Sequence, residues 1–353
     1  MATADRVDAA GWWPTKAASP RDHVGPARCA ECHALRGRQQ TTAMANTAHR
    51  AADAEVLRSH DRLTFAAGSY SYAIEKDERG SVYTVTDGRR SLSAVLGWAF
   101  GVGKVGQSYL FEREGRLHEA RVSYYDALPG LDFTPRRALS APRDVEEAMA
   151  RPVDDAEARR CFGCHTTAST TASGLDVSSL IPGVTCEACH GPGREHSELM
   201  DREDPPASEA SILDPGELDP VDSVDFCGAC HATFWDVKLA DEKGLAALRS
   251  QPYRLQSSRC WDGGDARITC VACHDPHRPL VRDSRSYDRR CLRCHVASGA
   301  EPTGTHPGRA CTVAAADCAG CHMPKYEVAE MHFEFTDHLI RVVPPRGGAE
   351  SLP

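Results

Sequence analysis

Apolar and polar positions alternate over Ser69-Tyr-Ser-Tyr-Ala-Ile-Glu75 and again over Ser81-Val-Tyr-Thr-Val-Thr86. That is the period of a half-buried strand. The second run ends at Asp87-Gly88, a hairpin-turn dipeptide. Tyr109 to Glu112 and Leu117 to Tyr125, divided by Glu114-Gly115, predict another hairpin. Residues 63–126 therefore read as a small antiparallel sheet. Gly97 to Gly106 is glycine-rich but lacks the Lys-Ser/Thr of a phosphate loop, and reads as a turn. Residues 143–165 predict a helix that begins near Arg143-Asp144-Val-Glu-Glu. The acidic, proline-rich stretch 201–222 reads as a surface loop. The longest apolar run, Ala94 to Gly103, falls well short of the roughly 18 residues of a membrane span.

Composition changes this picture. Aromatic residues make up only 7% of the 353, while 28 glycines and 22 prolines favour turns. Such a chain calls for a staple other than a large apolar core. Cysteine and histidine each number 16. The net charge of −9 carries no basic tract, which excludes a nucleic-acid footprint and suits basic partners.

The equality of Cys and His is explained by one motif. Cys-x-x-Cys-His occurs at Cys29-Cys32-His33, Cys161-Cys164-His165, Cys186-Cys189-His190 and Cys227-Cys230-His231. It recurs at Cys270-Cys273-His274, Cys291-Cys294-His295 and Cys318-Cys321-His322. Chance at this composition predicts about 0.03 copies. Two thiols at this spacing add to the two vinyl groups of one haem, and the next imidazole reaches the iron from one face. A zinc ribbon would pair two Cys-x-x-Cys units without a histidine after each. A redox dithiol would be single. The sequence thus predicts seven covalent haem c groups. Their attachment follows export, so a periplasmic or extracellular location is expected. Met1 to Pro20 has no n-region, h-region and cleavage site in order, so the export signal is expected outside this sequence.

An iron with a second strong ligand suits electron transfer, and an open sixth position suits substrate binding. Nine further histidines are available for seven irons. His196, His277, His306, His332 and His338 lie in suggestive places, after a motif or between two. His60 and Met44 compete in the region after the first motif, with His23 and His49 behind them. His118 reads as surface. Cys260 and Cys311 lie outside the motifs, and a disulfide is the simplest reading of the pair.

The motif starts fall at 29, 161, 186, 227, 270, 291 and 318, so one haem stands apart from six. The expected segments are 1–62 with one haem, 63–142 as a β insertion and 143–353 with six haems. The expected fold is mainly α with extensive loops, haem-stapled, with a small antiparallel insertion. Short helices are expected to carry the motifs.

Several stretches resemble the cytochrome c-554-like group of multihaem cytochromes. They are Cys161-Phe-Gly-Cys-His-Thr-Thr167, Gly183-Val-Thr-Cys-Glu-Ala-Cys-His-Gly-Pro-Gly193, Ile268-Thr-Cys-Val-Ala-Cys-His-Asp-Pro-His277 and Cys318-Ala-Gly-Cys-His-Met-Pro-Lys325 with His332 and His338. Gln107-Ser-Tyr-Leu110 and Arg121-Val-Ser-Tyr-Tyr125 are similar to the β segment of its bacterial members. The resemblance runs from about residue 23 to 342. It implies electron transfer through closely stacked, mostly bis-histidine haems. It also implies redox partners, either other cytochromes or a membrane oxidoreductase complex, and leaves an oligomer or complex subunit open. The wider superfamily includes nitrite reductases and hydroxylamine oxidoreductases, which depart from the ordinary motif or leave an iron open. Here every motif ends in His, so an electron carrier is favoured over an enzyme. The alternatives are an oxidoreductase acting on a small nitrogen or sulfur compound at one open haem, and a fixed subunit of a respiratory or photosynthetic complex.

Overall fold

The computed structural model describes residues 20–343, apart from residues 139, 172–173, 203–211, 262, 264, 296–310, 312 and 315. The described chain forms two bodies. One takes residues 20–213 and 328–333, and the other residues 214–327 and 334–343.

The first body is built on antiparallel sheets. Strands β2 (Arg62–Ala67), β3 (Tyr70–Asp77), β4 (Gly80–Thr86) and β5 (Ser91–Val95) pair in chain order. A second sheet has the order β1 (Ala48–Arg50), β6 (Trp98–Phe100), β7 (Ser108–Arg113), β8 (Arg116–Ala120) and β11 (Ala150–Pro152). Strands β9 (Val122–Tyr125) and β10 (Gly130–Phe133) make a separate hairpin. The register puts Tyr72 opposite Val85, and Ile74 opposite both Leu63 and Tyr83. All five side chains are buried in one apolar cluster with Tyr109, Phe111 and Met149. The period-2 pattern thus turns one face of the β2–β5 sheet inward. The Tyr83 hydroxyl donates to the Met149 carbonyl at 3.0 Å, tying the sheet to helix Val145–Met149.

The second body is helical where it is regular. Its longest helix, Pro220–His231, begins with Pro220 after Asp219, whose carboxylate accepts the Asp222 N–H at 2.8 Å. Helix Phe234–Leu239 starts in a capping box of Thr233 and Asp236. Val224, Val237 and Leu248 supply its buried apolar contacts. Arg254 and Asp337 form a buried ion pair with both side chains at most 3% exposed.

The expectation of a mainly α, haem-stapled fold is overturned. The chain is 34% helix and 24% strand, with several antiparallel sheets. The reason lies in where the scarce aromatic residues are. Tyr72, Tyr83, Tyr109, Phe111 and Tyr124 gather in the first body and give it an apolar core of its own. Local readings shift as well. The glycine-rich stretch contains strand β6, and β1 and β11 join the sheet from outside residues 63–126. The helix expected over 143–165 is two helices, Val145–Met149 and Asp155–His165, separated by β11. Part of the expected 201–222 loop lies outside the described residues. Its last residues already belong to helix Pro220–His231.

Candidate functional site

In all seven motifs the chain makes a helical turn. The leading cysteines of motifs one, five and six accept the histidine N–H four residues on: His33 to Cys29 at 2.9 Å, His274 to Cys270 at 2.9 Å and His295 to Cys291 at 3.0 Å. The other four motifs lie wholly inside helices: Asp155–His165, Cys186–His190, Pro220–His231 and Cys318–His322. Residues three and four apart share one helix face, so each turn presents two thiols and an imidazole to one side.

Three of the motif imidazoles are held in a ligand-ready way. The ring nitrogen Nδ1 of His190 meets the Leu213 carbonyl at 2.9 Å, and that of His322 meets the Arg341 carbonyl at 2.8 Å. His165 Nδ1 lies 2.7 Å from the Thr47 hydroxyl and 3.2 Å from its carbonyl. A carbonyl can only accept, so Nδ1 of His190 and His322 carries the proton and Nε2 is left as a lone-pair donor. Metal-binding histidines are oriented in this manner. The residues therefore fit haem c.

The motif helices pack in pairs. Within the first body, helix Pro26–Cys32 touches Cys186–His190. Within the second, Pro220–His231 touches Cys270–Cys273, and Asp288–Cys291 touches Cys318–His322. In every pair the leading cysteines meet. The hydrogen bond from Cys29 holds Cys186 at about 7, while the same contact and burial push Cys29 up. Cys270 is likewise raised by Cys227, whose own thiol is lowered. Burial and the neighbouring Cys291 push Cys318 up to about 12.

Two carboxylates, which sequence reasoning did not single out, lock two of these pairs. Glu187, inside the third motif and 1% exposed, accepts from the N–H groups of Val24, Gly25 and Gly193, each at 2.8 Å. It thereby satisfies the N-terminus of the first motif's helix. Asp288 accepts from the N–H groups of Asp317 at 2.7 Å and Cys318 at 2.8 Å, at the start of the seventh motif's helix. The available signal was an acidic residue within or just before the motif. Gly183 contributes by close approach: its φ is +78°, and a Cβ there would lie 1.8 Å from the Ala45 carbonyl oxygen.

The candidate sixth ligands fall in different settings. The rings of His33 and His196 have centroids 6.4 Å apart, and those of His274 and His338 6.2 Å apart. His338 Nδ1 faces the Thr336 carbonyl at 3.1 Å. Burial, and then the neighbouring His274, lower His338 to about 4, which keeps it neutral. His60 Nδ1 meets the Val56 carbonyl at 2.8 Å, and its ring lies 5.3 Å from Tyr124. His332 Nε2 is 2.9 Å from an Asp132 carboxylate oxygen, and the ring sits edge-on to Tyr125. His277 is half-buried beside Asp275. Met44 is 37% exposed, and its carbonyl accepts the Val184 N–H at 3.0 Å. His23 is buried and His49 lies in β1. His118 is half-buried and stacks on Phe111 rather than standing on the surface. His306 lies outside the described residues. The structure forms no disulfide, so the Cys260–Cys311 pairing is not seen; Cys311 Sγ instead accepts the Ala314 N–H at 3.4 Å. Among the described residues, no group of three or more Cys, His, Asp or Glu side chains is arranged to hold a metal ion by itself.

A family model described as cytochrome c554 and c-prime matches residues 135–191. The match supports a c-type cytochrome family. It spans the second and third motifs. Membership of that family would imply covalently bound haem c, electron transfer and redox partners. Cytochrome c domains are usually exported. No curated protein and no solved structure matches the chain. No helix among the described residues is long and apolar enough to cross a membrane.

Proposed function

We propose that this chain is a seven-haem c-type cytochrome of the multihaem superfamily. On this reading it passes electrons between redox proteins outside the cytoplasm. When bound, haem c supplies a one-electron iron couple at each motif. The chain's own residues do the rest. Fourteen cysteines anchor seven groups, and His33, His165, His190, His231, His274, His295 and His322 each offer one axial nitrogen. Further histidines close most of the sixth positions.

The observation that carries this reading is the pairwise packing of motif helices with their leading cysteines in contact. Groups anchored at such a pair are neighbours, as electron passage requires. A chemistry of substrate turnover needs no such repeated pairing. Intact mass of protein matured in a host with haem-attachment machinery, together with a redox titration, tests the proposal. Seven haems per chain and several overlapping one-electron waves are expected. Six or fewer in fully matured protein would refute the count. A dominant high-spin ferric spectrum would turn the reading towards an enzyme with open irons.

A further inference from the structure

Two histidine pairs face each other with interplanar angles of 26° and 47°. An imidazole–metal bond is about 2 Å long. With roughly 1.15 Å from that nitrogen to the ring centre, an iron held by two imidazoles sets their centroids about 6.3 Å apart. The centroids of His33 and His196 are 6.4 Å apart, and those of His274 and His338 are 6.2 Å apart. In each pair the first member is the histidine of a Cys-x-x-Cys-His motif and the second lies outside every motif.

Resting on the haem reading above, we propose that His196 is the sixth ligand on the iron of the first motif, opposite His33. In the same way His338 is the sixth ligand on the iron of the fifth motif, opposite His274. The sequence order would not assign them so. His196 follows His190 of the third motif by six residues, and His338 follows the seventh motif.

Each second ligand is held by a built support. Helix Arg194–Met200 is clamped to helix Pro26–Cys32 by Arg28, whose Nε meets Ser197 Oγ at 2.8 Å and whose terminal nitrogen meets the Asp201 carboxylate at 2.5 and 2.6 Å. His196 is thereby set across from His33, while its Nδ1 is buried with no hydrogen-bond partner among the described residues. His338 directly follows Asp337, which is fully buried against Arg254. Ser258 Oγ donates to the His338 carbonyl at 3.2 Å and accepts the Ile340 N–H at 2.9 Å. The Thr336 carbonyl occupies Nδ1 and leaves Nε2 of His338 as the lone-pair donor.

The test uses the full matured chain carrying His196→Met or His338→Met. Intact mass is read first in the parent. A parent with fewer than seven haems sinks the underlying reading, not this assignment. With seven present, each variant should keep all seven haems, lose one bis-histidine low-spin ferric signal and gain one thioether-to-iron charge-transfer band. The partner is identified in chains that lack one haem. In a Cys29→Ala/Cys32→Ala background, adding His196→Met should produce no new band, and in Cys270→Ala/Cys273→Ala the same should hold for His338→Met. The six remaining haems report that these backgrounds are folded. A thioether band that persists without the first or fifth haem, or a His→Met variant with unchanged ferric signals, overturns the assignment.

Discussion

Replacing Asp337 by Ala should be among the most damaging single changes in the second body. Arg254 approaches Asp337 through two bonds, of 2.8 and 2.7 Å, and Arg341 adds a third at 2.6 Å. The Arg254 side chain is 3% exposed and that of Asp337 is 0%. Arg341 is 19% exposed and can turn to water, but Arg254 cannot. Removing the carboxylate therefore takes the charge partner away from a guanidinium held in a dry site. Breaking a buried pair from one side costs about 3–5 kcal/mol, a large part of the 5–15 kcal/mol that holds a domain folded. Replacing both partners with apolar residues, as Arg254→Met with Asp337→Leu, should recover most of that loss. Urea denaturation of the matured protein, followed by far-ultraviolet circular dichroism and the haem absorbance, measures both variants. A loss below about 1 kcal/mol for Asp337→Ala, or a double variant no better than the single one, would refute the argument from burial.

The same carboxylate predicts a pH response. Burial raises Asp337, but hydrogen bonds from Arg254, the Leu339 N–H and Arg341 outweigh it and hold the group below its ordinary value. Its stabilisation is therefore complete above the unfolded value of about 3.9 and is lost as pH falls through the lower folded value; acid titration of the denaturation midpoint should show this loss, and Asp337→Asn should remove it. Glu187→Ala should leave three N–H groups without this acceptor, at about 1–3 kcal/mol for the buried Gly193 group and less for the half-buried Val24 and Gly25, and amide exchange at Val24 and Gly25 should quicken in the variant. Gly183→Ala should lower the denaturation midpoint more than Gly68→Ala does, because only the former drives a Cβ into backbone, although both glycines have positive φ. Chain made without haem should keep the β signal of the first body in circular dichroism, since that apolar cluster uses no cofactor; loss of all far-ultraviolet β signal would contradict it.

The seven motifs were legible because their chemistry demands contiguous residues. Three thiol and imidazole groups must share one helical turn, and a turn is a local object. The β3–β4 hairpin was legible for a similar reason: alternation is local, and Tyr72 and Ile74 point where the period puts them. The extent of the sheets was not. Strands β1 and β11 are three residues each, too short for a period to show, and they are recruited by pairing with β6 and β8. The fold class went astray because a composition average hides clustering. Nor does sequence order show what lies across from His33 or His274, since each facing ring is more than sixty residues away. His332 follows a motif in sequence, and the fold sets its Nε2 beside Asp132, two hundred residues distant.

The meeting of leading cysteines bears on the order of events in making this protein. Cys29 and Cys186, Cys227 and Cys270, and Cys291 and Cys318 lie within hydrogen-bond reach as thiols. Two thiols so placed in an oxidising compartment are substrates for disulfide formation. Cys186 is held at about 7 by its contact with Cys29, and the thiolate is the attacking form. A chain that completes its fold before its thiols are consumed would join one motif to another and disable both. On the haem reading, thioether formation must outrun tertiary closure at these three contacts, which makes the final packing of each pair a late step in biogenesis.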